Sequence, residues 1–178
     1  MMNKCLVVVD MQNDFIDGAL GFEWAKKVIE PIKQKIKDYR RENQCIVFTQ
    51  DTHSKNYQNT VEGEHLPIPH CIEGTKGHKL HEEIEALRKD EDKTFQKETF
   101  PALSLGKFLK NQNFSHIELC GLVSDMCVLS NAVIAKSALP NAHIHIDARA
   151  TTTFDLDNHE KALDILENLH IEIKNRSQ

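Results

Sequence analysis

Cys5-Leu-Val-Val-Val9 runs without a polar residue into Asp10, and the reading of this stretch decides the fold. An unbroken apolar, β-branched run suits a strand buried on both faces of a parallel sheet, where no alternation of inside and outside is needed. Val28, Ile29, Ile32, Ile36 and Tyr39 then recur at helical spacing among charges, which predicts an amphipathic helix over 24–43. Cys45-Ile-Val-Phe-Thr49 predicts a second strand, and an irregular stretch rich in His, Pro and Gly extends to Gly77. Helices over 78–89, 103–110 and 125–139 alternate with strands over 93–96, 117–121 and 143–146. Asp157-x-x-Glu160 has the form of a capping box opening a last helix, followed by a strand over 171–174. Strands alternating with helices imply right-handed βαβ units. The expectation is one α/β domain over residues 1–178, with a doubly wound, mainly parallel six-stranded sheet and helices on both faces.

The chain has 178 residues and a formal charge of −5 spread over mixed-sign segments, an ordinary solvated surface that argues against nucleic acid as partner. It carries no tandem repeat or low-complexity tract. The first residues, Met-Met-Asn-Lys, lack the form of a secretory signal, and no segment approaches the length of a membrane span. The five cysteines form no C-x-x-C pair and are expected to be reduced thiols of a cytoplasmic protein.

In doubly wound sheets the site lies beyond the carboxyl ends of the strands. Asp10, Asp51, Lys97 and the segment after Gly121 all fall there. Cys127 follows Gly121-Leu-Val-Ser-Asp-Met, in the first turn of a helix that leaves a strand abruptly. Exposed N–H groups and the positive helix end there would stabilise a thiolate and hold an oxyanion; a small core residue is the alternative. Asp10 reads equally as a helix-start cap or a functional carboxylate, and Lys97 as a surface lysine or a partner of that carboxylate. Together, thiol, carboxylate and ammonium make a working nucleophile. Asp51-Thr-His53 places two ligand types on one side of an extended chain, and Glu62, Glu64, His65 and His70 follow. A divalent metal on mixed N/O ligands, zinc or iron, is one reading, and solvated loop residues are the other. Cys71 reads as core.

Five blocks occur in the order found in the isochorismatase-like cysteine hydrolases, a Rossmann-like superfamily of nicotinamidases, N-carbamoylsarcosine and ureidoacrylate amidases and isochorismatases. They are Val8-Val-Asp10-Met-Gln-Asn-Asp-Phe15, Thr49-Gln-Asp51-Thr-His53, Pro69-His70-Cys-Ile-Glu-Gly74-Thr-Lys-Gly77, Lys97-Glu-Thr-Phe100 and Gly121-Leu-Val-Ser-Asp125-Met-Cys127-Val. The chain resembles the nicotinamidase-like branch over almost its whole length. That resemblance implies Asp10 as general base, Cys127 as nucleophile and Lys97 as electrostatic partner. It also implies a cis peptide at Leu122–Val123, with the Val123 and Cys127 N–H groups facing the oxyanion. The implied metal ligands are Asp51, His53, His70 and Glu62, with Glu64 and His65 as rivals for the last place; the metal is zinc, or else iron or manganese. An aromatic that nicotinamidases often place before Pro-His-Cys is replaced by Pro67-Ile68, leaving Phe15 and Phe100 as ring contacts. The implied activity is cleavage of a small carboxamide, nicotinamide first, through a thioester, by a homo-oligomer. Isochorismatase-type or N-carbamoyl/ureido hydrolysis and a non-catalytic binding protein are the alternatives.

Overall fold

β1 (Lys4–Val9) lies in the middle of the sheet, and every residue from Cys5 to Val9 is fully buried, as its apolar run requires. The computed structural model describes residues 3–176; the outermost positions of the expected 1–178 span, 1–2 and 177–178, lie outside the described residues. After β1 the chain forms α1 (Asn13–Ile16), α2 (Ile29–Arg41), β2 (Cys45–Asp51), α3 (Val61–His65), α4 (Glu82–Glu85) and β3 (Lys93–Lys97). It continues through α5 (Leu103–Lys110), β4 (His116–Leu122), α6 (Leu129–Ala138), β5 (His143–Thr152), α7 (Leu156–Asn168) and β6 (Glu172–Lys174). The strand order is β3-β2-β1-β4-β5-β6 with every pairing parallel, so the expected mainly parallel sheet is wholly parallel among the described residues. The chain winds outward from β1 to β3 and then crosses back to β4. The loops after β1 and β4 therefore diverge, and a crevice opens between them at the carboxyl edge.

Two cores flank the sheet because successive β1 side chains point to opposite faces. Leu6 and Val8 pack with Ile29, Ile32 and Ile36 of α2, while Val7 and Val9 pack with apolar residues of α5, α6 and α7. Ile32 is wholly buried, so Ile32→Ala would cost about 2–5 kcal/mol. Gly121 has φ +118, and a Cβ there would sit 2.0 Å from the Val9 carbonyl oxygen. Only glycine lets β4 approach β1 this closely just before the site.

Several boundaries differ from expectation, each for a local reason. The helix expected over 24–43 begins as a 3-10 turn, Ala25–Val28, and stops at Arg41, with Asn43 in the left-handed region that ends helices. The helix expected over 78–89 shrinks to the single turn α4, because the segment before it pairs with the loop after β1: Asn13 and Asp14 donate to Lys79 and Gly77, and His81 donates to Met11. The helix expected from Asp125 opens with a π-helical turn, Ser124–Val128, before α6. β5 runs six residues past Ile146 to Thr152, across an irregularity opposite Leu119–Gly121. The capping box at Asp157 is not formed. Asp155 is the N-cap instead, accepting from the Asp157 N–H at 2.8 Å and the Asn158 N–H at 3.4 Å.

Candidate active site

The loop after β1 turns sharply at Asp10, whose φ of +46 lies in the left-handed region, uncommon for a residue other than glycine. This turn sends the carboxylate sideways along the carboxyl edge of the sheet rather than onward. Oδ1 accepts from the Thr49 hydroxyl at 2.6 Å. Oδ2 forms an ion pair with Lys97 Nζ at 2.7 Å. Lys97, the last residue of β3, reaches under the edge to donate to Asp51 Oδ1 at 3.0 Å and to lie 3.5 Å from Cys127 Sγ. Asp10, Lys97 and Cys127 are all buried, so the sequence-chosen thiol, carboxylate and ammonium meet away from bulk water. The surface-lysine and helix-cap alternatives do not describe these positions.

Burial governs the electrostatics of this trio. It opposes the charge on Lys97, yet Asp10, Cys127 and Asp51 outweigh it and hold the ammonium well above the usual lysine range. Burial raises the Asp10 carboxyl, Lys97 draws it down and Asp51 raises it again, with a net upward shift. Burial likewise pushes the Cys127 thiol well up; Lys97 pulls it down, but Asp10 and Asp51 add to the rise. The helix-end stabilisation of a resting thiolate is therefore outweighed. The sulfur holds its proton beside a carboxylate able to receive it.

Cys127 sits in the π-helical turn that follows the cis Leu122–Val123 peptide. Two side chains hold this turn. Ser124 Oγ is 2.9 Å from His159 Nδ1 of α7, and Asn131 donates to the Cys127 carbonyl at 2.8 Å and to the Phe100 carbonyl at 3.1 Å. Asn131 Oδ1 also accepts from the Ala102 N–H, so one buried side chain ties the turn that carries Cys127 to the loop after β3. Neither His159 nor Asn131 carries a local sequence signal; their roles depend on which loops α6 and α7 meet.

Beside the trio, Asp51, His53, Glu62 and His70 bring one donor atom each to within 4.8 Å of one another. His53 Nε2 lies 2.9 Å from Asp51 Oδ2 and 3.5 Å from Glu62 Oε1, and His70 Nε2 lies 3.4 Å and 3.6 Å from the same atoms. His70 Nδ1 sits 2.9 Å from the Ile68 carbonyl, a contact that assigns the ring proton to Nδ1 and turns Nε2 toward the group. Glu62 Oε2 is buried without a partner. Two imidazoles and two carboxylates converging this way fit a divalent cation. Burial would raise Asp51, but the adjacent His53 and His70 imidazoles and the charge of Lys97 hold it below the usual carboxylate range. Against the opposing effect of burial, Asp51 and Glu62 lift His53 to about 9. A cation competes with that proton. The rivals Glu64 and His65 are exposed and stand outside the group, and Cys71 is buried core, as read. Sequence reasoning missed Tyr57, whose ring packs edge-on against His53 and His70 at 4.8 and 5.1 Å. It also missed Gln12, which clamps both sides of the Asp51 backbone at 2.8 Å.

A cavity of about 300 Å³ joins the two sets. Cys127 and Val123 lie on one side, Asp51, Glu62 and His70 on another, and Phe15 and Phe100 contribute rings. Phe154, from the loop after β5, adds a third ring that sequence reasoning had not flagged. Such a space suits one small aromatic molecule.

The isochorismatase domain model matches residues 4–174. A nicotinamidase of Acinetobacter baylyi (strain ATCC 33305 / BD413 / ADP1) is 27% identical over 177 residues, covering 82% of this chain and 81% of its own. Among solved structures, nicotinamidase PncA from Bacillus subtilis superposes with a TM-score of 0.85 at 26% identity, over 98% of this chain and 100% of that one. The pyrazinamidase of Pyrococcus horikoshii, solved in complex with zinc, has a TM-score of 0.83 at 24% identity, over 96% and 98% of the two chains, and shares the fold. Among the described residues, no helix is long and apolar enough to cross a membrane.

Proposed function

The chain belongs to the isochorismatase family of hydrolases, and from that premise we propose that it cleaves a small aromatic carboxamide to the acid and ammonia through a thioester on Cys127. Nicotinamide is the proposed substrate, and the working unit is the single domain over residues 1–178. The observation that carries this reading is the buried contact of Lys97 Nζ with both Cys127 Sγ and Asp10 Oδ2, with Cys127 itself lining a cavity of about 300 Å³ that has room for a pyridine carboxamide.

In the proposed cycle Asp10 Oδ2 takes the Sγ proton and the sulfur attacks the amide carbon. Lys97, in contact with both partners, keeps the carboxylate and then the thiolate charged without supplying the proton itself. The N–H groups of Val123 and Cys127 receive the oxyanion. Asp10 returns its proton to the departing nitrogen, so ammonia leaves and the thioester remains. Water enters, Asp10 deprotonates it, and its attack on the thioester carbon releases the acid and restores the thiol. Phe15, Phe100 and Phe154 hold the ring. Asp51, His53, Glu62 and His70 would hold zinc, with iron or manganese as the other candidates, and the bound metal would supply a Lewis-acid point for a ring nitrogen or for water.

Ammonia release from nicotinamide, pyrazinamide and N-carbamoyl compounds tests the reading directly. Turnover of nicotinamide that disappears in Cys127→Ala is expected. Silence on both aromatic amides, with turnover of a carbamoyl compound, would keep the catalyst and overturn the substrate. Elemental analysis after purification without chelators should find about one transition metal per chain, less of it in His70→Ala. Its absence from wild type would overturn the metal assignment.

A further inference from the structure

Cys5 and Cys45 begin neighbouring strands far from the site, and the mechanism uses neither. They are direct partners in the parallel register of β1 and β2, so their side chains emerge side by side on one face of the sheet, in the core lined by α5, α6 and α7. Neighbouring strands lie about 4.8 Å apart, within the Cα separation of about 4.4–6.8 Å that a disulfide spans. Both are free thiols, Cys5 fully buried and Cys45 half-buried. We propose that Cys5 and Cys45 form a reversible cross-strand disulfide under peroxide, with Cys45 as the attacking thiol and Cys5 as the resolving one.

Three observations support the assignment of roles. Cys45 is the one of the pair that solvent reaches. Interaction between the paired thiols lowers Cys45 and raises Cys5; Lys93 and Arg40 lower Cys45 further, against burial and Asp92. A low, accessible thiol beside a resolving thiol is the arrangement that oxidises selectively. Cys71, Cys120 and Cys127 are instead buried and raised by burial. Chemically, the Cys45 thiolate attacks one peroxide oxygen, the O–O bond breaks and hydroxide leaves to become water. The sulfenic acid so formed is attacked by the Cys5 sulfur. The S–O bond breaks, a second water leaves with the Cys5 proton, and two thiols have lost two electrons to one peroxide. A dithiol reductant reverses the change by exchange. Asp51 lies six positions along β2 from Cys45, roughly 20 Å at the rise of a strand, so the bond forms at the end of the sheet away from Cys127.

The test treats the full-length native protein with one equivalent of hydrogen peroxide, counts thiols after denaturation and maps peptides without reduction. Free thiols should fall from five to three with a linked Cys5–Cys45 peptide, return on dithiothreitol, and leave Cys127 alkylatable. Cys5→Ala should stop at a sulfenic acid on Cys45 that dimedone traps, and Cys45→Ser should retain its four thiols. Either outcome below would overturn the proposal: oxidation of Cys127 ahead of Cys45, or a Cys45 product in wild type with no link to Cys5.

Discussion

Two buried charge clusters sit on this sheet, and they are built to opposite ends. At the carboxyl edge, Lys97 faces Asp10, Asp51 and the Cys127 thiol. Nearer the middle of β4 and β5, Lys35 of α2 faces Glu118 at 2.7 Å and Asp147 at 2.8 Å, while His145 backs Glu118 and Arg149 backs Asp147. The second cluster gives each carboxylate two cationic or donor partners. Against the opposing effect of burial, Glu118 is thus held down to about 2 and Asp147 below the usual range. The first gives one ammonium to two carboxylates and a thiol, so it does not offset burial and Asp10 is raised. A fully partnered cluster holds its protons in place. An under-partnered one is ready to move them.

The comparison breaks most visibly in activity. Cys127→Ala should lower amide turnover by about 10⁴-fold or more, and Asp10→Asn by about 10²–10⁴-fold, both read as ammonia release. Lys35→Met should leave kcat/KM unchanged. Full turnover in Asp10→Asn, or a large loss in Lys35→Met, would erase the functional difference between the clusters.

Stability should separate them next. Lys97→Met strands Asp10 and Asp51 together in the interior and should cost about 3–5 kcal/mol by urea unfolding, moderated as Asp10 takes a proton. Lys35→Met should cost only about 1–3 kcal/mol, because His145 and Arg149 remain and Lys35 is partly solvated. Equal losses would mean that the second cluster depends on Lys35 alone.

The two clusters also predict opposite pH dependence. Glu118 is lowered from its ordinary 4.5 to about 2, so it binds fewer protons folded than unfolded. Its stabilisation is present above 4.5 and is lost as pH falls toward 2. Asp10 is raised, so its effect has the other sign: the stability it contributes is present at low pH and is lost as pH rises through its folded value. The proposed cycle needs the deprotonated form, so the acid limb of kcat/KM should lie above the ordinary Asp value of about 3.9. Glu118→Gln should flatten the acid loss of stability without moving that limb; a moved limb would show that the clusters are coupled.

The strands and the site were legible to different degrees. β1, β2 and β4 are announced by apolar runs whose burial needs no partner to be inferred. The acids and the lysine that terminate strands mark the carboxyl edge, so Asp10, Asp51, Lys97 and Cys127 could be gathered on one edge before any distance was known. Glu62 among its neighbours was a weaker choice, because only the turn of α3 decides that it faces His53 while Glu64 and His65 face outward. Asn131, His159, Tyr57 and Phe154 were beyond reach. Each acts through a contact with a segment 29 to 35 residues away, with the rings of His53 and His70 or at the wall of the cavity, and local periodicity carries no such pairing. The α4 region failed for the same reason: its hydrogen bonds go to the loop after β1.

The smallest effect tests the boundary that was misplaced, at α7. Asp155 and Asp157 both precede or open this helix, and a capping box favours Asp157 with Glu160, but the observed side-chain bonds run from the Asp157 and Asn158 N–H groups to Asp155. Removing a cap costs about 1 kcal/mol, whereas an exposed acid within the first turn contributes only a few tenths through the helix dipole. Asp155→Ala should therefore lower stability by about 1 kcal/mol and Asp157→Ala by much less. The polar link from the helix to the turn that carries Cys127 is His159 to Ser124, four residues beyond the cap, where the helix is already held by buried Ala162, Leu163 and Leu166. Fraying at Asp155 should accordingly leave kcat/KM untouched. A drop in turnover that tracks the lost stability would instead show that the start of α7 is part of what holds Cys127 in place.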